Sequence, residues 1–201
     1  MDKVWSPDQV DAFLSAATPE MRIAIILALE TGQRQGDLLA LTWSAFDGQA
    51  IRLTQNKTGA FVTIPVTQRL KRALQNEIKR LSGTGIQSVT VLTRPDGQPW
   101  KGDHFRNVWR KTKAAAGIEG VTFNDLRGTA VTALADAGCS VPEICAITRH
   151  SIRSAHAILE RYLARTATQS TAAIAKLENA RRTNSAKRAA KQTRVTWREY
   201  D

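Results

Sequence analysis

The chain has 201 residues and 29 Lys plus Arg against 18 Asp plus Glu, a formal net charge of +11. A hydrophobic fraction of 42% and two cysteines point to one ordinary globular domain, with or without a tail, rather than a disulfide scaffold or a disordered chain. No apolar run reaches the roughly 18 residues of a membrane span, and the N-terminus lacks the apolar stretch of a signal peptide, so a cytoplasmic protein is expected.

The charge is graded along the chain. Residues 1–50 carry −4, residues 51–100 +6, residues 101–150 +2 and residues 151–201 +7. An acidic first quarter on a basic remainder is the footprint of a protein that meets a polyanion, and nucleic acid is the default partner.

Helices dominate the pattern. Ser6-Pro7-Asp8-Gln9 offers an N-cap, a proline at the first helical position and a capping-box glutamine before Val10, Phe13 and Leu14. Thr18-Pro19 opens a second helix whose Ile23, Ile25, Ile26, Leu27 and Leu29 are too dense for a surface helix, with Gly32 closing it. A short helical turn over 37–41 follows. The period then becomes two over 50–54 and 60–66, with a hairpin loop over 55–59. Helix returns over 67–81, with Leu70, Leu74, Ile78 and Leu81 on one face. Residues 89–92 read as a short strand and Pro95-Asp96-Gly97 as a turn. A basic amphipathic helix spans 103–116, another helix runs from about Thr122 to Ala137, and a Ser140/Glu143 capping box opens a third. Helix resumes near Ala155 and continues towards Ala180. Residues 181–194 hold six basic residues and nothing apolar larger than alanine, so they read as a tail. The fold class is therefore mainly α with a small antiparallel sheet (α+β).

Several chemistries lack their motifs. There is no His-x-x-x-His pair, acidic cluster or EF-hand loop, so no metal is expected. Walker, dinucleotide-binding and Gly-x-Ser-x-Gly loops are missing too, and no nucleotide cofactor is expected. A chain that acts on phosphate without a metal needs arginines as its electrostatic clamp. Three segments supply candidates. Arg34 stands between a glycine-terminated core helix and a short helix. Asn124 and Arg127 lie at i, i+3 at a helix start. Thr148-Arg149-His150-Ser151 is followed twelve residues after the histidine by Tyr162.

Taken in order, these segments resemble the catalytic domain of the tyrosine recombinase (phage integrase) family, over roughly residues 5–180. Thr31-Gly32-Gln33-Arg34 with Asp37-Leu38 matches the family's first arginine box. Lys57 in Asn56-Lys57-Thr58-Gly59 matches the hairpin lysine, Asn124-Asp125-Leu126-Arg127 the His-x-Leu-Arg box, and His150 the Leu-Gly-His box. Asn124 stands where most of the family has histidine, and Arg149 replaces the usual glycine. The wide spacing from His150 to Tyr162 suggests a loop over 151–157 ahead of the tyrosine's helix. The other tyrosine, Tyr200, lies beyond the basic stretch.

The resemblance implies the fold of those catalytic domains and DNA strand cleavage and rejoining through a 3′-phosphotyrosine, with no cofactor. Tyr162 would be the nucleophile, Arg34 and Arg127 the phosphate clamp and Lys57 the general acid. His150 would hydrogen-bond the phosphate, Asn124 would do so more weakly, and Asp37 would orient Arg34. Arg106, Arg110, Lys111, Arg149 and Arg153 would contact DNA. It further implies a catalytic domain over 1–180, a basic tail over 181–201 that crosses to a neighbouring protomer, and a homotetramer on double-stranded DNA. The family's N-terminal DNA-clasping domain would be missing from this chain, leaving weak affinity. The alternative expectation is a catalytically impaired DNA-binding relative.

Overall fold

The structure, a computed structural model, describes residues 3–163, 174–179 and 181–183. It divides into two compact units, Met1–Leu159 and Glu160–Asp201. The elements of the first run α1 (Pro7–Ala16), α2 (Pro19–Thr31), α3 (Gln35–Leu39), a 3₁₀ turn at Trp43–Ala45, β1 (Ala50–Thr54), β2 (Phe61–Pro65), α4 (Gln68–Thr84), α5 (Gly102–Ala115), α6 (Asp125–Asp136) and α7 (Val141–Thr148), with α8 (Ile152–Leu163) beginning in it. In the second unit the helical backbone recurs at 174–179 and 181–183. The expected mainly α fold with one antiparallel hairpin is what the chain adopts.

α2 is the central helix. Met21, Ala24, Ile25, Leu27 and Ala28 are essentially solvent-free, and the helix packs against both α4 and α6. An aromatic cluster closes the far side of the core: Trp109 lies 4.2 Å from Phe13 and 4.7 Å from Phe123, centroid to centroid. Trp5 joins it and donates its indole N–H to the Thr122 carbonyl at 2.8 Å. The Trp5 backbone N–H goes to Thr129 Oγ1 at 3.0 Å. These two bonds pin the N-terminal segment to the start of α6, where two candidate site residues sit. β1 and β2 pair antiparallel with Ile51 opposite Ile64 and Leu53 opposite Val62, and all four are buried.

Four local expectations change. On α4 the buried stripe is Leu70, Leu74, Glu77 and Leu81, while Ile78 is exposed; steps of four, three and four hold one face, and Ile78 is rotated off it. Glu77 takes the inner place because Arg80 bonds it at 2.8 Å and also reaches Glu20 at 3.1 Å. Residues 89–92 form no strand, only an isolated bridge between Thr42 and Thr90. Ser88, Thr90 and Thr93 hydroxyls bond nearby carbonyls instead, a competition that turns the chain away from a ladder. α6 starts at Asp125 rather than Thr122, because the Asp125 carboxylate accepts from the Thr122 N–H at 2.7 Å and holds that stretch as a turn. Finally, the loop expected over 151–157 is helix. Ser151 Oγ accepts from the Ser154 N–H at 3.1 Å and caps α8 directly after His150, and Ala155, Ile158 and Leu159 bury one face.

Candidate active site

The first arginine box is built by the end of α2. Gly32 terminates that helix in the left-handed conformation, φ +62°, its N–H bonding the Ala28 carbonyl. A Cβ there would stand 2.8 Å from Thr148 Cγ2 and 3.3 Å from Ala130 Cβ. Only glycine serves both the backbone angle and this approach of α2 to α6 and α7. The turn leaves the Gly32 carbonyl pointing at α6, where Arg127 Nη1 donates to it at 2.6 Å.

Arg127 is thereby fixed at a second point. Its Nε donates to His150 Nε2 at 3.0 Å, and its Nη2 is buried without a partner among the described residues. His150 Nδ1 faces Thr148 Oγ1 at 3.0 Å, and that hydroxyl donates to the Ile144 carbonyl at 2.8 Å. The direction of the chain is decided by Arg127, which can only donate. Nε2 of His150 therefore accepts, and Nδ1 carries the proton. Burial, then repulsion from Arg127 and Arg34, pushes the His150 pKa down to about 4, so the ring is neutral at pH 7. Burial and the nearby Arg34 charge likewise push Arg127 down to about 10, with Asp37 opposing them; it stays cationic.

Arg34 is the N-cap residue of α3 and is about a third exposed. Its firmest partner is Gln55 Oε1, at 3.0 Å. Asp37 lies 3.9 Å from Arg34 Nη1, while its other oxygen accepts from the Asn56 N–H at 2.8 Å. Asp37 thus anchors the hairpin base as firmly as it faces Arg34. Gln33 and Gln55 are both buried, and Gln55 Nε2 donates to Gln33 Oε1. Gln33 Nε2 in turn donates to the Thr31 and Ile147 carbonyls at 2.9 Å each. This glutamine pair, with Thr148, ties the segments of the candidate site together, and the sequence reading did not single it out. The signal available was a polar residue inside the Thr-Gly-x-Arg box and another two before Lys57.

Arg34, Lys57, Arg106, Asn124 and Arg127 line one cleft of about 710 Å³. Arg34 and Arg127 also line a neighbouring groove with Thr58, Ala60, Arg149 and His150. Asn124 is exposed and its side chain does not cap α6; Lys57 is exposed on the hairpin loop. Arg106 pairs with Asp103 at the cleft edge. Arg110, Lys111 and Arg153 are exposed but line neither depression. Tyr162 belongs to the last turn of α8, in the second unit, and its side chain lies outside the described residues; Tyr200 lies outside them altogether. Among the described residues no group of three His, Cys, Asp or Glu could hold a metal ion, and no helix is long and apolar enough to cross a membrane.

The family model described as the phage integrase family matches residues 3–168. The chain belongs to that family. The shufflon-specific DNA recombinase of Escherichia coli is 33% identical over 139 residues, covering 68% of this chain and 32% of the relative. The integrase of Escherichia phage HK022 is 29% identical over 114 residues, covering 53% and 32%. The chain therefore spans about a third of the length of these curated relatives. Among solved structures, the phage integrase fold here is similar to XerA recombinase, with a TM-score of 0.68 at 20% identity over 79% of this chain and 58% of that one. It is also similar to lambda integrase (75-356) in a dimer bound to a COC′ core site, with a TM-score of 0.64 at 21% identity, covering 74% and 57%.

Proposed function

We propose that this chain supplies the catalytic domain of a site-specific DNA recombinase that cuts and rejoins strands through a 3′-phosphotyrosine. The observation that carries the reading is the convergence of Arg34 and Arg127 on one cleft. Burial first, and then repulsion from the nearby Arg34, lowers the Arg127 pKa, and a phosphodiester placed between the two guanidinium groups would attract both and offset that repulsion. Buried, preorganised cations serve best where negative charge grows in a transition state.

In this reading the Tyr162 oxygen attacks the scissile phosphorus and the bond to the 5′-oxygen breaks. The phenolic proton passes to solvent water, and the 5′-oxygen takes a proton from the Lys57 ammonium. The phosphate bond is kept as a phosphotyrosyl ester, so neither ATP nor a metal is called for. Arg34, Arg127 and the Asn124 amide donate to the non-bridging oxygens. His150 begins neutral and becomes a donor at Nε2 only on gaining a proton, which an adjacent phosphate favours.

Double-stranded DNA is the partner in this reading, and a homotetramer assembled on it the working unit. The catalytic part would extend to about residue 180, the basic residues 181–201 forming a tail. A cytoplasmic setting goes with this, and Cys139 and Cys145 are unpaired thiols. The deciding experiment is a gel assay on a nicked suicide duplex that traps the covalent product. A protein–DNA band lost in Tyr162→Phe supports the reading. Folded, DNA-binding protein that gives no band with any substrate would replace it with the impaired DNA-binding relative.

A further inference from the structure

The hairpin that carries Lys57 is fastened at two points. On one side, Asp37 and the Gln33–Gln55 pair hold residues 55 and 56 against the first arginine box. On the other, Arg149 Nη2 donates to the carbonyl of Phe61, the first residue of β2. Lys57 and Thr58 lie between these anchors, and Lys57 makes no hydrogen bond or ion pair with any described residue. Ile51, Leu53, Val62 and Ile64 dock the ribbon on the core, and the two anchors bound the loop at its tip, which has no core residue of its own.

Arg149 is an unexpected residue for its backbone position. It C-caps α7 with φ +56°, the one non-glycine residue with positive φ among the described residues. Glycine adopts that angle without strain, and arginine does not. A strained backbone kept in place is explained when its side chain does something glycine cannot. Here that is the bond to the hairpin, from the residue immediately before His150.

We propose that Arg149 is a positioning residue for Lys57, latching the hairpin to the α7–α8 corner so that the Lys57 ammonium stays over the leaving 5′-oxygen. This rests on the reading of Lys57 as general acid given above. Arg149 then acts on proton delivery alone, in contrast to a direct DNA contact, which would serve substrate binding and every chemical step alike.

The test compares the parent chain, Arg149→Gly, Lys57→Ala and the double variant in single-turnover cleavage of two suicide duplexes. One has the natural 5′-oxygen at the scissile position; the other has a bridging 5′-sulfur, which leaves as a thiolate, a far weaker base than an alkoxide, and needs no proton donor. Arg149→Gly suits the left-handed corner, so its melting temperature should equal or exceed the parent's, which removes misfolding as an explanation. On the oxygen duplex Arg149→Gly should be slower by about tenfold, short of the roughly 10²–10⁴ expected for losing the acid itself. On the sulfur duplex both single variants should stay within about threefold of the parent, and on oxygen the double variant should match Lys57→Ala. Equal slowing on both duplexes would make Arg149 a DNA contact and overturn the latch; so would an Arg149→Gly rate equal to the parent's on oxygen. Lys57→Ala cleaving oxygen at the parent rate would sink the general-acid role and the latch with it. A parent chain that cleaves neither duplex would sink the cleavage reading first.

Discussion

Arg127 donates its Nε proton to Nε2 of His150 across 3.0 Å, and so leaves the ring's remaining proton on Nδ1, facing Thr148. A cation that spends a donor on a neutral histidine holds that histidine neutral. Protonating Nε2 would put two donors face to face in a half-buried site.

The pH dependence follows from the burial of the ring together with that contact. Burial and the charges of Arg127 and Arg34 hold the His150 pKa near 4, below the ordinary value of about 6.5 in the unfolded chain. The unfolded state therefore binds the proton first. Stability is full above about pH 6.5 and is lost progressively as pH falls towards 4, where the folded ring also titrates. The loss should be about 2 kcal/mol once solvent screening is allowed for, and urea unfolding at pH 7.5 and pH 4 should show it shrink in His150→Gln. In the free protein the His150 ring should titrate near 4 by NMR, and a phosphate-bearing ligand should raise that value. No upward shift on adding duplex DNA would mean that phosphate does not reach His150.

Arg127→Ala should abolish detectable covalent complex while leaving the fold standing. Removing one preorganised donor to a developing oxyanion costs about 3–4 kcal/mol, or a few hundredfold in rate. The structural loss is smaller, since the deleted bonds are to the Gly32 carbonyl and His150. A variant that cleaves within about threefold of the parent would remove Arg127 from the clamp.

Gly32→Ala should unfold more easily by about 2–4 kcal/mol, combining a left-handed alanine with overpacking. The added methyl would meet Thr148 Cγ2 at 2.8 Å. Because Thr148 is the residue that holds His150, the variant should also slow cleavage more than its stability loss explains. Urea midpoints and single-turnover rates on the same samples separate the two effects.

Much of the candidate site is legible in the sequence, for identifiable reasons. Gly32, Arg34, Lys57, Arg127 and His150 follow one another in a fixed order of short local boxes, and local patterns survive in sequence. The 55–59 turn was legible because Gly59 supplies the positive φ, +64°, that the hairpin needs. Gln33 and Gln55 were not, because their roles come from a hydrogen bond between elements 22 residues apart, which no periodicity records. The helical start of α8 was hidden behind the spacing to Tyr162. That spacing looks like an insertion, yet Ser151 caps a helix that absorbs the extra residues.

Binding of duplex DNA should weaken steeply with salt and show little sequence preference. The basic residues of 51–100 and 151–201 motivate this, since each neutralised phosphate releases counterions with a log–log slope of about −0.9. Fluorescence anisotropy between low and moderate salt should give a slope of several units. A slope near zero would place the DNA face elsewhere.

In the proposed reaction Asn124 should affect how fast the site works. By the resemblance of residues 124–127 to the family's His-x-Leu-Arg box it would stand at the histidine position, and it lines the same cleft as Arg34, Lys57 and Arg127. The side chain is exposed and does not cap α6, so its amide is free to meet a phosphate oxygen. Among the described residues only its backbone carbonyl is engaged, accepting from the Arg127 N–H at 3.1 Å, and substitution of the side chain leaves that bond in place. Asparagine keeps a donor but lacks the charge that a protonated histidine would bring, and a charge-assisted bond is roughly twice as strong as a neutral one. The deficit should be about 1–2 kcal/mol, near tenfold in rate. Asn124→His should therefore cleave faster than the parent and Asn124→Ala slower, in single-turnover assays on one suicide duplex at fixed salt. The gain in Asn124→His should appear mainly at the acid end of the pH–rate profile, because Arg34 and Arg127 disfavour a second cation in the free cleft. If Asn124→Ala cleaves like the parent, the amide does not touch the phosphate. The clamp then consists of the two arginines with His150 alone.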